Sequence, residues 1–218
     1  MRRLKFILYT ILFLILFGFL HYVLPQHDVA RITSTEVVRT DISSFNGIFF
    51  SQSDSGATVQ NSRDIRFINA EKRKTWILGF FQRESTEIMV YRNEDTGWIW
   101  PPYFKFDSSD LQAEAAARLS TPAAPQWVVI THYGWRNKYL SIYPNAVGIR
   151  AVDGPDVTVI PWFNIFFFVF LAFCWGMARA MWRQFRERTV DPTWDRVEEG
   201  VSERRGRVHR WLDTWKSK

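Results

Sequence analysis

The four histidines are the side chains of this sequence best suited to acid–base or metal chemistry. His21 lies at the end of an apolar stretch, His27 follows it beside Asp28, His132 falls in a predicted strand, and His209 lies near the C-terminal end. Because they belong to separate elements, we do not expect them to meet at one metal ion. We expect His132 to be a hydrogen-bonded structural residue and the His27–Asp28 pair to be solvated.

Acidic side chains cluster at Glu94–Asp95 and at Asp107 and Asp110. Paired carboxylates can act as a general acid and base or bind a hard cation. However, an aspartate before Thr-Gly is typical of a turn, and aspartates are favoured at the start of a helix. We therefore predict structural roles for all four.

The sequence carries no recognised catalytic or nucleotide-binding motif, neither GxGxxG, GxSxG, HExxH nor CxxC. Its one cysteine, Cys174, excludes an intrachain disulfide and a cysteine-based zinc site. Arg136, in a predicted turn, could bind an anion, but we expect it to pair or stack within its own domain. No catalytic residue, cofactor or metal ligand is predicted.

Two long apolar segments frame these residues, although the mean hydropathy of the chain is only −0.17. Residues 6–24 contain no charge and as a helix would extend about 28 Å, close to the thickness of a bilayer core. Residues 160–182 carry only Arg179, near their end, and have Trp162 and Trp182 at their two ends. These tryptophans are candidate membrane-interface residues.

Each segment has an alternative interpretation. Residues 6–24 follow a basic start, as a cleaved signal peptide would, but the run is long and no small-residue cleavage site follows it. Residues 160–182 could form a buried core helix, but their length and aromatic content favour a membrane helix. We predict two transmembrane helices in contact with the lipid bilayer.

The distribution of charge predicts the orientation of these helices. Arg2, Arg3 and Lys5 precede the first helix, and residues 183–218 are also net positive, whereas residues 25–159 are near neutral. Because basic flanks stay in the cytoplasm, both termini should be cytoplasmic and the centre periplasmic, across a bacterial inner membrane. The overall charge of +6 thus reflects membrane orientation, and nucleic acid is not a predicted partner. The predicted parts are a cytoplasmic N-terminus (1–5), helix 1 (6–24), an exported domain (25–159), helix 2 (160–182) and a cytoplasmic tail (183–218).

The exported segment has the pattern of a small, mostly antiparallel β domain with one helix, an α+β fold. Strand patterns occupy residues 29–39, 63–70, 87–92, 126–133, 139–143 and 147–152. We expect residues 126–133 to pair with residues 139–143. Ser109 and Gln112 fit a capping box at the start of the helix. A partly open barrel would suit such short strands.

Residues 72–81, KRKTWILGFF, combine three cations with a large apolar group. Trp76, Phe80 and Phe81 could fill the core of the domain. Alternatively they could form an exposed patch that binds a protein partner or the membrane surface. We name them as candidate partner-binding residues.

Ala172, Gly176 and Ala180 recur every four residues in the second apolar segment. This spacing places them on one face, where a second backbone could approach closely. Chance composition is the alternative. The face is a candidate for packing against helix 1 or a second copy, so a homo-oligomer is possible.

The tail has the pattern of an amphipathic helix beginning at Asp191–Pro192, with Asp191 as N-cap. Its apolar stripe consists of Trp194, Val197, Val201, Val208, Trp211 and Trp215. A helix lying on the cytoplasmic leaflet, a coiled coil and a frayed tail are the three interpretations, and tryptophan with many cations favours the first. Trp211 and Trp215 are therefore further candidate membrane-interface residues.

Several long motifs resemble a known family. They are LHYVLPQHDVARIT at 20–33, YRNEDTGW at 91–98, PPYFKFDSSDLQAEA at 101–115, HYGWRNKYLSIYPNAV at 132–147 and MWRQFRERTVDP at 181–192. Together they resemble DUF1523, a family of bacterial inner-membrane proteins of unknown function. The resemblance implies the two-helix architecture and transfers no activity, cofactor or catalytic residue.

These observations predict a non-enzymatic inner-membrane envelope protein whose exported domain binds another protein, as an accessory factor, assembly factor or complex subunit. The alternative is a periplasmic domain that binds a small molecule or catalyses a reaction. A pocket with converging polar groups and strongly shifted pKa values would favour that alternative.

Overall fold

A computed structural model describes residues 2–41, 49, 62–76, 81–96 and 105–216 of the chain. The chain divides into two units, Met1–Trp162 and Phe163–Lys218. The first unit contains α1 (Arg2–Val23), β1 (Gln26–Asp41), β2 (Ser62–Trp76), β3 (Phe81–Asn93), α2 (Ser108–Ala117), β4 (Trp127–Tyr133) and β5 (Asn145–Val152). The second begins within α3 (Trp162–Phe185), which a π-helical turn (Arg186–Val190) joins to α4 (Asp191–Lys216).

The five strands close into a barrel in the order β1-β2-β3-β5-β4. β1 is long enough to pair with two neighbours: its first residues lie antiparallel to β4 and its later residues antiparallel to β2. β3 closes the barrel against β5 through one parallel pair, Arg92 with Asn145. This order, with a helix between β3 and β4, is the topology of an OB-fold. The predicted α+β fold class, with a mostly antiparallel sheet and one helix, is confirmed at this level.

The core follows the alternation of side chains along the strands. Ala30 and Ile32 of β1 face inward, and α2 closes the barrel with Leu111 and Ala115. The remaining core residues are Ile68, Ala70, Tyr91, Val128, Ile130, Ala146 and Ile149. β1 thus presents one continuous inward face, to which Asp28 also belongs.

The start of α2 differs from the predicted capping box. The helix begins two residues earlier than that box predicts, at Ser108, and the side chain of its N-cap residue, Asp107, makes no capping hydrogen bond. Instead Asp95 accepts hydrogen bonds from the backbone N–H and the hydroxyl of Ser108, each at 2.8 Å. A carboxylate just after β3 therefore satisfies the first N–H of the helix, which has no partner within the helix. Asp95 thus has a structural role, as predicted, and that role is to cap α2.

The predicted pairing of residues 126–133 with residues 139–143 is also wrong, because β4 pairs with β5. Residues 134–144 form the loop between the two strands, which we call the β4–β5 loop. Within it Asn137 and Ile142 form one antiparallel bridge. The loop ends where β5 begins. Residues 139–143, whose apolar and polar side chains alternate, therefore belong to the loop and not to a strand of the barrel.

The β2–β3 hairpin extends beyond the barrel. Four consecutive β3 residues, 85–88, are exposed, with Ile88 retaining 80% of its accessible surface. Since consecutive strand residues point to opposite faces, this part of the hairpin is solvated on both. Its last described pair is Trp76 with Phe81.

The helices of the second unit form one run from α3 through the π-helical turn into α4. Asp191 has helical backbone angles and its N–H bonds to the carbonyl of Arg186, so it is not the predicted N-cap. A proline inside a helix clashes with the carbonyl four residues earlier, and the wider π-helical turn just before Pro192 relieves that clash. α4 itself confirms a helical tail.

Candidate functional site

A buried charged cluster lies inside the barrel around Asp28 of β1. Asp28 accepts hydrogen bonds from the Tyr91 hydroxyl at 2.6 Å and from His132 Nε2 at 2.9 Å. Lys72 Nζ lies 3.3 Å from both carboxylate oxygens and 3.5 Å from Glu87. We call Asp28, Lys72, Tyr91 and His132 the Asp28 cluster; its members come from β1, β2, β3 and β4.

Strand register brings these side chains together. Asp28 pairs with Ile130 and Ala30 with Lys72, so His132 and Lys72 each stand two residues from the position opposite Asp28, on the same face. His132 is buried and hydrogen-bonded, as predicted. The prediction of a solvated His27–Asp28 pair is wrong, because Asp28 keeps only 5% of its surface.

The surroundings of Asp28 keep it ionised. Burial alone would raise its pKa, but the charges and hydrogen bonds of His132, Lys72 and Tyr91 outweigh burial and hold the pKa of Asp28 well below its usual range. Burial and the nearby Asp28 carboxylate raise the pKa of Tyr91 well above its ordinary value, so Tyr91 stays a donor. His132 Nε2 must carry a proton to donate to the carboxylate, while its Nδ1 has no partner among the described residues.

The geometry of the Asp28 cluster suits a structural role better than a catalytic one. A general base must reach the proton it removes, whereas His132 keeps 4% of its surface. Both Asp28 oxygens, the Tyr91 hydroxyl and the Lys72 ammonium are already paired with one another. The cluster therefore joins four strands around one buried charge.

A second polar group closes the barrel where β3 meets β5. Lys105 donates to Asn93 Oδ1 and to the Ala146 carbonyl, and burial lowers the pKa of Lys105 to about 8. Asn145 bonds to the backbone of Glu94 in both directions. These contacts link β3 to β5, between which only one strand pair forms.

The end of α1 is packed into the barrel. Tyr22 keeps only 4% of its surface and contacts the ring of Tyr133 edge-on, and its carbonyl accepts the Gly134 N–H at 2.9 Å. Trp135 Nε1 donates to His21 Nδ1 at 2.9 Å. Because β1 begins at Gln26, only Leu24 and Pro25 separate helix from strand, and both are buried. The helix thus holds the barrel in a fixed orientation.

The candidate partner-binding residues occupy the far end of the β2–β3 hairpin. Trp76 ends β2 and Phe81 begins β3, in register with one another, while Phe80 lies outside the described residues. Their side chains are not among those described, so the choice between core and exposed patch stays a prediction. Arg136 behaves as expected, with its guanidinium 4.2 Å from the centre of the Tyr143 ring.

The other predicted residues lie in α3 and α4. Ala172, Gly176 and Ala180 share one face of α3, and within the second unit a Cβ added to Gly176 would meet no atom within 4 Å. Trp162, Trp182 and Trp211 are exposed. Trp215 lies in α4, and its side chain is outside the described set. Their packing and interfacial roles remain predictions.

Most of this chain matches one protein family. The family model described as "Protein of unknown function (DUF1523)" matches residues 1–186. The chain belongs to the DUF1523 family. An uncharacterised protein of Haemophilus influenzae is 36% identical over 175 residues, covering 77% of this chain and 86% of that protein. No solved structure matches. The DUF1523 match includes α1, the barrel and α3 but ends before α4.

The structure adds two observations to this family assignment, on membrane-spanning helices and on metal binding. Two helical stretches, Arg2–Val23 and Trp162–Val208, are long and apolar enough to cross a membrane. Among the described residues, no group of three or more His, Cys, Asp or Glu side chains could hold a metal ion.

Proposed function

We propose that this DUF1523 protein is an inner-membrane protein with both termini in the cytoplasm, whose barrel binds a protein partner at the outer face of the membrane. In this role it is an accessory factor, an assembly factor or a subunit of a larger complex. The packed junction between α1 and the barrel is the observation that carries the proposal.

Burial of Tyr22 favours an anchor over a cleaved leader. Cleavage after residue 24 would remove a side chain that the barrel encloses, together with the carbonyl that accepts the Gly134 N–H. Burying a tyrosine contributes roughly 2 kcal/mol or more to stability. The barrel would therefore be less stable without α1, which is what we expect of a domain that stays attached to a membrane anchor.

Rigid attachment also favours a binding role. A domain joined to its anchor by two buried residues presents each of its surfaces at a set height and angle above the bilayer. The β2–β3 hairpin is the most prominent of these surfaces, because it extends beyond the barrel and has Trp76 and Phe81 at its end. Aromatic side chains are favoured where proteins meet.

The test is photo-crosslinking in cells from the full chain. A photoreactive amino acid at Ser85, on the hairpin, should give one discrete adduct with another protein, whereas the same group at Ala117, on exposed α2, should not. The triple variant Trp76→Ser, Phe80→Ser, Phe81→Ser should lose the adduct while its melting temperature is unchanged.

Two outcomes would contradict this proposal. Equal adducts from Ser85 and Ala117 would remove the hairpin as the binding surface. A triple variant that unfolds would show that the three aromatic residues belong to the core, since each buried aromatic contributes about 3–5 kcal/mol.

A further inference from the structure

The β4–β5 loop lies against the end of α1 and carries apolar side chains outward. Trp135 keeps 40% of its surface, Leu140 keeps 39%, and Tyr139 is 99% exposed. An exposed group of this kind on a soluble domain calls for an explanation.

Trp135 is oriented along α1 as an interfacial tryptophan would be. Its Nε1 donates to His21, in the last turn of the helix, while the far edge of its ring lies beside Gly18, where an added Cβ would be 3.8 Å from Trp135 Cη2. The polar edge of the indole therefore points toward the helix end, and the apolar edge points toward the apolar run. Tryptophan takes this orientation at the boundary between headgroups and acyl chains.

The position of the ring along α1 also fits. Gly18 precedes the last residue of the helix, Val23, by about 7–8 Å along the axis. Because residues 6–24 match the thickness of the bilayer core, Gly18 lies in the outer part of that core. If α1 spans the membrane, the apolar edge of the Trp135 ring therefore reaches the outer acyl chains, and its Nε1 lies nearer the headgroups.

The tip of the loop satisfies several of its own backbone groups, which lowers the cost of entering a less polar environment. Asn137 and Ile142 exchange two backbone hydrogen bonds of 3.0 Å. Asn137 Oδ1 accepts the N–H groups of Tyr139 and Leu140, and Arg136 donates to the carbonyls of Asn137 and Ile142. Several polar groups of the tip are thus paired within the loop, while Tyr139 is exposed next to Lys138, a residue whose cation could face lipid headgroups.

We propose that the β4–β5 loop is a lipid-contacting element that places Trp135, Tyr139 and Leu140 at the outer boundary between headgroups and acyl chains, beside α1. This inference rests on the proposed membrane anchor. It gives the barrel a second contact with the bilayer, so that one face of the barrel is held against the lipid surface and the β2–β3 hairpin is left for a partner.

Spin labels on the full chain test the inference. In a Cys174→Ser background, single cysteines replace Tyr139, Thr121 or Leu12, and the protein is placed in nanodiscs of phosphatidylethanolamine and phosphatidylglycerol. The ratio of collision rates with oxygen and with a water-soluble nickel complex reports depth. We expect the label at 139 to show a ratio several-fold above that at 121, a solvated loop position, and below that at 12.

The possible outcomes separate the two proposals. A label at 139 that matches the label at 121, with the label at 12 in the membrane core, would overturn the loop contact and leave the anchor intact. A label at 12 that reads aqueous would overturn the anchor and the loop contact together.

Discussion

Replacing Asp28 by asparagine should lower the free energy of unfolding of the barrel by about 3–5 kcal/mol, the cost of removing one partner from a buried ion pair. Asparagine keeps the size of the side chain but removes the charge that Lys72 and His132 both face. In detergent, thermal unfolding of the full chain followed by near-ultraviolet circular dichroism should show a melting temperature lower by roughly 10 °C or more.

Asp156→Asn is the matched control, because Asp156 also pairs with a cation, Arg73, at 2.9 Å but is 85% exposed. Exposed ion pairs contribute about 0–1 kcal/mol, so this variant should melt within a few degrees of the wild type. Equal effects of the two substitutions would show that the Asp28 cluster does not hold the barrel together.

The difference in stability between the wild type and Asp28→Asn should also depend on pH. The pKa of Asp28 is lower in the folded chain than in the unfolded chain, so its contribution to stability is complete above about pH 4 and is lost as the pH falls below that value. The difference in melting temperature between wild type and Asp28→Asn should therefore shrink from pH 4 toward pH 2. A difference that grows over this range would contradict the assignment.

Replacing Gly134 by alanine should cost about 1–3 kcal/mol, the penalty for holding a side chain in a left-handed backbone conformation. Gly134 has φ +92°, and its N–H bonds to the Tyr22 carbonyl at the point where α1 meets the barrel. The added Cβ would lie 3.5 Å from the Tyr22 ring, which is ordinary van der Waals contact. The loss of stability should therefore come from the backbone angle.

Gly148→Ala is the control for this junction, since Gly148 lies in β5 with an ordinary backbone and nothing within 4 Å of an added Cβ. The identical chemical change there should be neutral or slightly stabilising. If both alanine variants melt alike, the turn at Gly134 does not constrain the junction.

The sequence predicted most of the strands because their alternation and turn residues are local signals. All five strands of the barrel overlap a predicted strand, and His132 is hydrogen-bonded, as predicted. The sequence did not predict contacts between separate elements. It missed that β4 pairs with β5 and that Asp95 caps α2. No local pattern specifies which distant strand or helix a residue will meet.

Asp28 illustrates the same limit in the candidate site. Its neighbour His27 and the nearby apolar segment suggested a solvated position. Its spacing from Ala30 and Ile32 by two and four residues was the available signal, since these apolar residues share its face of the strand. The partners that make burial of the charge possible lie 44, 63 and 104 residues away in the sequence.

The location of the barrel relative to the membrane is the central claim, and labelling of single cysteines tests it most directly. In the Cys174→Ser background, one cysteine replaces Ala117 on α2 or Ser202 on α4, both exposed positions. A membrane-impermeant maleimide is applied to spheroplasts before and after lysis. Our account predicts that position 117 reacts in intact spheroplasts and that position 202 reacts only after lysis. Protection of position 117 or reaction of position 202 before lysis would contradict it.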